Sequence, residues 1–518
     1  MHVALLNEGT YPVVHGGVST WCDQLVENLP EHEFSIVTLT GTQHESVWPL
    51  PSNVRSFQAE PMWGEVRRRW SFEALRAWGE SSAIDSAYRQ LWSAVLPPAG
   101  RSVDLQAATA GLRVLAAEYA QPLMAHFTGG LGTKALMGAW ASHVKGTGLP
   151  PLSGSQAADV SRHVDRFLAV LNVSWPSVDL IHATTNGPAG LMALGRHWRD
   201  GTPIVLTEHG VHLRERYLAL RAANFPWTVR YALMAMTRAV CQTVYNHCEL
   251  MTPVSEFNAG WERELGAKAQ RVITVPNAVD ATAFPPVEGE PDVPTVSFVG
   301  RIDPLKDLAT LIEAFAIVRD SVPDARLRLF GPTPAGNEAY RAELDALVVA
   351  CGLEASVTFE GAVPSARPAI EAGHVVALSS ISEGLPYTVI ESMMCGRATV
   401  NTDVGGVNEC VGRDETCGLL VPPRDAQAMG EALVRLLVDD AERQAMGRRA
   451  RERALSTFDL AKFTARYRCI YQRSAATVPE ADLDDVRRAL EAADSSATRE
   501  DAAATHAAPT TTEAESCR

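Results

Sequence analysis

Ten consecutive residues in the C-terminal half carry the densest chemistry in the chain: Ser382-Glu383-Gly384-Leu385-Pro386-Tyr387-Thr388-Val389-Ile390-Glu391. Seven residues separate the two glutamates, and a Gly-Leu-Pro turn leads from the first into a predicted helix. The apolar run Val375-Val376-Ala377-Leu378 predicts a strand that feeds this turn. Pro386 suits the first helical position, where a missing N–H costs nothing. The free N–H groups of the helix start then make an anion site suited to a diphosphate. Glu383 in the loop and Glu391 in the helix can then sit on either side of a bound nucleotide-sugar, one to accept hydrogen bonds from sugar hydroxyls and the other from ribose. Taken alone, such spacing also describes a Glu-capped helix with a second, solvated Glu. The strand before it and a second phosphate-type signature favour the site.

That second signature is Val299-Gly300-Arg301-Ile302-Asp303-Pro304-Leu305-Lys306-Asp307. Arg301 and Lys306 lie on a Pro-bent loop at a strand's carboxyl end, the edge where doubly wound sheets bind ligands. Arginine offers a fork to two phosphate oxygens and lysine a point charge. Thr207-Glu208-His209-Gly210 also follows a predicted strand, which sets His209 at a domain edge, able to bond a sugar hydroxyl or to position the reacting centre. Arg214 and Arg216 add positive charge nearby or are ordinary surface residues. Gly16-Gly17, ahead of Val18-Ser19-Thr20-Trp21, allows backbone N–H groups to approach a phosphate closely, or simply makes a tight strand-to-helix turn. The loop Thr402-Asp403-Val404-Gly405-Gly406-Val407-Asn408-Glu409 reads as a wall beneath the same cleft. Gly129-Gly130-Leu131-Gly132-Thr133-Lys134 lacks the Gly-Lys-Ser/Thr order of a P-loop and is set aside.

The elements that must position these residues alternate short apolar strands with amphipathic helices, which implies parallel sheets with crossover helices. In the first half the predicted strands are Val3–Asn7, Phe34–Thr38, Leu180–Ala183, Ile204–Thr207 and Leu250–Val254. In the second they are Thr295–Val299, Ala325–Phe330, Val357–Glu360, Val375–Leu378, Ala398–Asn401 and Gly418–Val421. The Pro-rich segment from Phe284 to Pro294 reads as an interdomain linker. Residues 55–175 break the alternation and read as a mainly helical insertion, with Val160, Val164, Phe167, Leu168 and Leu171 on one face. Within it, Arg67-Arg68-Arg69-Trp70 is a solvated helix face or a contact to a membrane surface or anionic polymer. The expected organisation is an N-terminal domain over 1–285 containing that insertion and a C-terminal domain over 286–457. A helix at 458–475 should pack back on the first domain, and 476–518 is expected to be an acidic, largely disordered tail.

A chain of 518 residues exceeds one core and calls for two or more domains. The formal net charge of −15 disfavours nucleic acid as a partner. The nine cysteines are scattered, odd in number and without a Cys-x-x-Cys pair, which argues against a disulfide framework or a zinc site and for a reducing cytoplasm. The start of the chain reads as a buried strand rather than a signal peptide, and no apolar run is long enough to span a membrane.

Together these residues resemble a retaining GT-B glycosyltransferase of glycosyltransferase family 4. The likeness is carried by Gly16-Gly17, Val275-Pro276-Asn277, Gly300-Arg301 with Lys306, the Glu383-to-Glu391 segment and Asp403-Val404-Gly405-Gly406. The opening Leu5-Leu6-Asn7-Glu8-Gly9-Thr10-Tyr11-Pro12, with Thr207-Glu208-His209-Gly210 and Arg214-Glu215-Arg216-Tyr217, is similar to the PelF-type branch associated with bacterial exopolysaccharide synthesis and UDP-glucose. Ala278 departs from the family, which often has Gly after the Asn. The resemblance implies two Rossmann-like domains facing a cleft and transfer of a hexose, glucose above all, from a UDP-sugar to a glycan or polysaccharide acceptor. It implies that Arg301 and Lys306 hold the diphosphate, Glu391 the ribose, and Glu383 with Gly384 and Leu385 the sugar, with Gly16 and Gly17 beside the donor and His209 by the reacting carbon. No metal or other cofactor is expected, because no Asp-x-Asp stands at a strand end to hold one. Membrane-associated polysaccharide-synthesis proteins are the expected protein partners. A UDP-sugar 2-epimerase of the same fold and a non-catalytic two-lobed sugar-binding protein are the alternatives.

Overall fold

The computed structural model describes residues 1–41, 46–62, 82–119, 131–474, 484–492 and 494. Its first sheet contains β1 (His2–Glu8), β2 (Glu33–Thr40), β3 (Val54–Pro61), β4 (Leu180–Ala183), β5 (Ile204–Leu206) and β6 (Leu250–Met251). The second contains β7 (Thr295–Val299), β8 (Arg326–Phe330), β9 (Val357–Gly361), β10 (Val375–Leu378), β11 (Ala398–Thr402) and β12 (Leu419–Val421). The strand orders are β3-β2-β1-β4-β5-β6 and β12-β11-β10-β7-β8-β9. Every pairing is parallel, with Val3 opposite Leu180 in the first sheet and Val375 opposite Val296 in the second. Counted from its own first strand, each sheet has the same doubly wound order, so each has a switch point beside that strand, where such folds bind ligands. The central strands are continuous apolar runs because helices cover both faces.

Two differences from the sequence reading concern the first sheet. β3 lies inside the stretch expected to be helical from residue 55, so the helical insertion begins only after Pro61. β3 is an edge strand with half-exposed residues along most of its length, and it therefore lacks the apolar signature of its neighbours. β6 stops after two residues, because Pro253 has no N–H to give a sheet ladder.

The insertion contains the helices Ser82–Val95, Leu105–Tyr119, Leu131–Val144 and Gly154–Leu168. They share one core with a face of the first sheet, joining Trp92, Leu112, Leu136 and Val160 to Ala4, Leu6 and Ile181. Val164, Leu168 and Leu171 are buried in that core and Phe167 packs against it. Ser153 starts the last of these helices through a reciprocal capping box with Gln156, at 3.2 and 3.1 Å. On the other face of the sheet, Val3, Leu5 and Phe34 meet Phe463, Tyr467, Ile470 and Tyr471 of the helix Leu460–Ser474.

Part of the segment read as a disordered tail is ordered. Residues 484–492 are helical, with Val486 and Leu490 buried in the same core. Arg466 and Asp494 add an ion pair at 2.6 Å. Two apolar side chains four apart share one helical face, and the acidic composition around them hides this. Residues 495–518, Arg67-Arg68-Arg69-Trp70 and Gly129-Gly130 lie outside the described residues. Among the described residues no helix is long and apolar enough to cross a membrane.

Candidate active site

The loops that follow β7 and β10, the two strands flanking the second switch point, are tied together. Asp303 caps the single 3-10 turn Pro304–Lys306 by accepting from the Leu305 N–H at 2.9 Å. The Ser379 hydroxyl donates to the Lys306 carbonyl at 2.7 Å, and the Ile381 N–H to that of Leu305 at 2.9 Å. This anchoring places Lys306 Nζ 2.7 Å from Glu383 Oε1, with the two side chains 21% and 12% exposed. Ser380 donates to the same oxygen at 2.5 Å. Glu383 Oε2 has no partner among the described residues and remains free to accept from a ligand. The exposed Arg301 side chain is also unpaired among the described residues, so one cation is free while the other orients the carboxylate.

The helix Tyr387–Met394 starts one residue later than expected. Pro386 is its N-cap, in an extended conformation at φ −75° and ψ 122°, rather than its first helical residue. No side chain caps this end, so the first-turn amides stay available to an anion. Glu391 lies one turn further on, half-buried, and its carboxylate has no hydrogen-bond or ion-pair partner among the described residues. Burial raises its pKa to about 7. A carboxylate held in this way gains from hydroxyl donors that a ligand brings.

From the first domain, the backbone of His209 meets the Glu383–Gly384 turn. Its loop is built around Glu208, a buried carboxyl that accepts from the His212 N–H at 2.9 Å and the Tyr245 hydroxyl at 2.6 Å. Beneath it, Thr207 joins a buried network with His182 (2.8 Å) and Tyr467 (3.1 Å), which links the loop to the helix Leu460–Ser474. The indole of Trp21 stands edge-to-face with His209 at 4.9 Å between centroids. Burial lowers the His209 pKa to about 3, so the imidazole is neutral at physiological pH. Its Nε2 is buried and has no hydrogen-bond partner among the described residues. The His209 carbonyl packs on Gly384 so closely that a Cβ there would fall 1.8 Å from the oxygen. No side chain fits between the two domains at that point.

The other predicted residues take varied places. Gly16 precedes the helix Gly17–Glu27, and a Cβ on Gly17 would lie 3.3 Å from the Tyr387 ring. Leu385 is buried, and its carbonyl accepts from Asn277 Nδ2 at 2.7 Å. Arg214 crosses the cleft to the Ser382 hydroxyl. The glycine-rich loop read as a wall of the cleft braces the Glu383–Gly384 turn, with the Gly406 N–H donating to the Gly384 carbonyl at 2.8 Å. Sequence reasoning missed Glu8, at the carboxyl end of β1. It accepts from the Ala189 N–H at 2.9 Å, and burial raises its pKa to about 8. Its position at the end of the first strand was the available signal. Among the described residues no group of three or more His, Cys, Asp or Glu side chains is placed to hold a metal.

This fold and this cleft define a glycosyltransferase of the GT-B type. The chain belongs to the family described as a domain of unknown function (DUF3492), which matches residues 1–270, and residues 293–439 match the family glycosyl transferases group 1. It is 31% identical over 301 residues to a D-inositol 3-phosphate glycosyltransferase from Jonesia denitrificans, covering 54% of this chain and 68% of that protein. It is similar in structure to sucrose-phosphate synthase from Thermosynechococcus elongatus, with a TM-score of 0.59, 20% identity and coverage of 91% and 98% of the two chains. Anabaena HepE in complex with UDP matches with a TM-score of 0.59 and 15% identity, over 91% of this chain and 100% of that one.

Proposed function

We propose that the protein is a retaining hexosyltransferase of glycosyltransferase family 4, in its PelF-like branch, that moves glucose from UDP-glucose to a glycan or polysaccharide acceptor in the cytoplasm. The observation that carries this reading is the pairing of two unsatisfied walls: Arg301, the free oxygen of Glu383, the uncapped helix start and unpartnered Glu391 on one side, and neutral His209 on the other. The structures of Anabaena HepE with UDP and with UDP-glucose support a UDP-sugar donor for this fold.

In this reading Arg301 and the helix amides neutralise the diphosphate, and Glu391 accepts from the ribose hydroxyls. Lys306 supports the departing charge and holds Glu383 toward the sugar. The bond from the anomeric carbon to the phosphate oxygen breaks while the acceptor oxygen bonds that carbon from the same face. The acceptor proton passes to the departing phosphate. Preorganised cations and amides stabilise the developing charge, so no metal is needed.

Incubation with radiolabelled UDP-glucose and a bacterial glycan extract tests the proposal. UDP release with label in a glycan of unchanged anomeric configuration, unaffected by a chelator, is expected. Conversion of the nucleotide-sugar without an acceptor, or binding without turnover, overturns it.

A further inference from the structure

The glycine-rich loop that braces Gly384 continues into Glu409, whose carboxylate reaches across to the other domain. Its Oε2 accepts from the Glu256 N–H and its Oε1 from the Phe257 N–H, both at 2.8 Å. These are the first amides of the helix Glu256–Glu264, which have no partner within their own helix. The hydroxyl of the helix's own cap, Ser255, accepts from the Asn258 N–H, at 3.2 Å, and from neither of these two amides among the described residues. The other domain therefore supplies the acceptor for the remaining pair, with negative charge at the favourable end of the helix dipole.

Both ends of this clasp are anchored. Arg453 donates to the Cys410 carbonyl at 2.6 Å and to that of Glu409 at 3.0 Å, which fixes the short helix carrying the carboxylate. On the far side, Asn258 Nδ2 donates to the Glu208 carbonyl at 2.9 Å, one residue before His209. Between them the backbones are nearly in contact. A Cβ on Gly406 would fall 2.4 Å from the Gly384 carbonyl oxygen and 2.7 Å from Ser255 Cβ.

We propose that Glu409 is a positioning residue that latches the C-terminal domain onto the helix Glu256–Glu264 and so sets His209 against the Glu383–Gly384 turn. Its catalytic consequence rests on the sugar-transfer reading above. The latch itself does not depend on that reading. Glu409 touches no reacting atom, and its effect runs through the population of the closed cleft.

Hydrogen exchange of the Glu256 and Phe257 amides, small-angle scattering and donor kinetics on Glu409→Ala and Glu409→Gln test this. In the Ala variant exchange at both amides accelerates about tenfold or more, as expected for loss of one helix cap. The radius of gyration rises, and kcat/KM for the donor falls by a similar factor. The Gln variant keeps one acceptor oxygen and falls between. Protection at Glu256 and Phe257 that persists in both variants, or a fall in melting temperature with unchanged scattering and exchange, overturns the latch. If Glu409→Ala fails to fold, the isosteric Gln variant decides by the same readouts. An absence of sugar transfer in the wild-type protein counts against the proposed function and leaves the exchange and scattering result to decide the latch.

Discussion

Glu391 is placed where binding and stability oppose each other, and Glu391→Gln separates them. Burial holds its carboxyl at about 7 instead of the ordinary 4.5. A folded-state pKa raised in this way leaves the group's contribution intact below the unfolded value and removes it as pH rises through about 7. The full shift corresponds to a loss of about 3 kcal/mol, and partial solvent access reduces this to about 1–2 kcal/mol. The neutral amide of Gln does not titrate and carries no such cost. The variant should therefore match the wild type near pH 5 and melt about 2–6 °C higher at pH 8.5. Added UDP should reverse the order. A neutral amide replaces a charge-assisted acceptor for the ribose, which weakens UDP binding by roughly ten- to a hundredfold and removes most of the ligand-induced stabilisation. Scanning calorimetry at both pH values, with and without UDP, reads all four cases. A Gln variant that is less stable at pH 8.5, or whose gain is the same at both pH values, refutes the reasoning.

Lys306→Ala leaves Glu383 without its cation and should cut transfer about a hundredfold or more while circular dichroism stays unchanged, as measured on the purified variant. Gly384→Ala forces a methyl against the His209 carbonyl. It should lower kcat/KM about a hundredfold by holding the domains apart, with little change in melting temperature, because the largest core of each domain contains no residue of the other. The rate of transfer should show no imidazole ionisation between pH 5 and 8, since burial keeps His209 neutral throughout that range. A step that disappears in His209→Asn would contradict this.

The order of the elements and most of the groups of the candidate site were legible in the chain. Unbroken apolar runs such as Val375-Val376-Ala377-Leu378 have few alternatives to a strand covered on both faces. The Ser382–Glu391 segment joins a turn to a helix start within ten residues and begins four positions beyond the strand end at Leu378, so its chemistry was local. The edge strand Val54–Pro61 and the docked residues Val486 and Leu490 were hidden, because a half-solvated strand and two apolar residues in an acidic segment lack a strong periodic pattern.

What tertiary structure alone decided is how the charges divide. From spacing, Lys306 and Arg301 looked equivalent, yet the hydrogen bonds between the β7 and β10 loops turn Lys306 onto Glu383, while Arg301 has no partner among the described residues. Glu409 carried no signal of its own, since its partners are backbone amides more than 150 positions away. Residue type and local pattern determine which groups are present and which strand ends carry them. Packing between domains determines which polar atoms are satisfied by the protein and which are left for a ligand, because that balance depends on neighbours brought together only by folding.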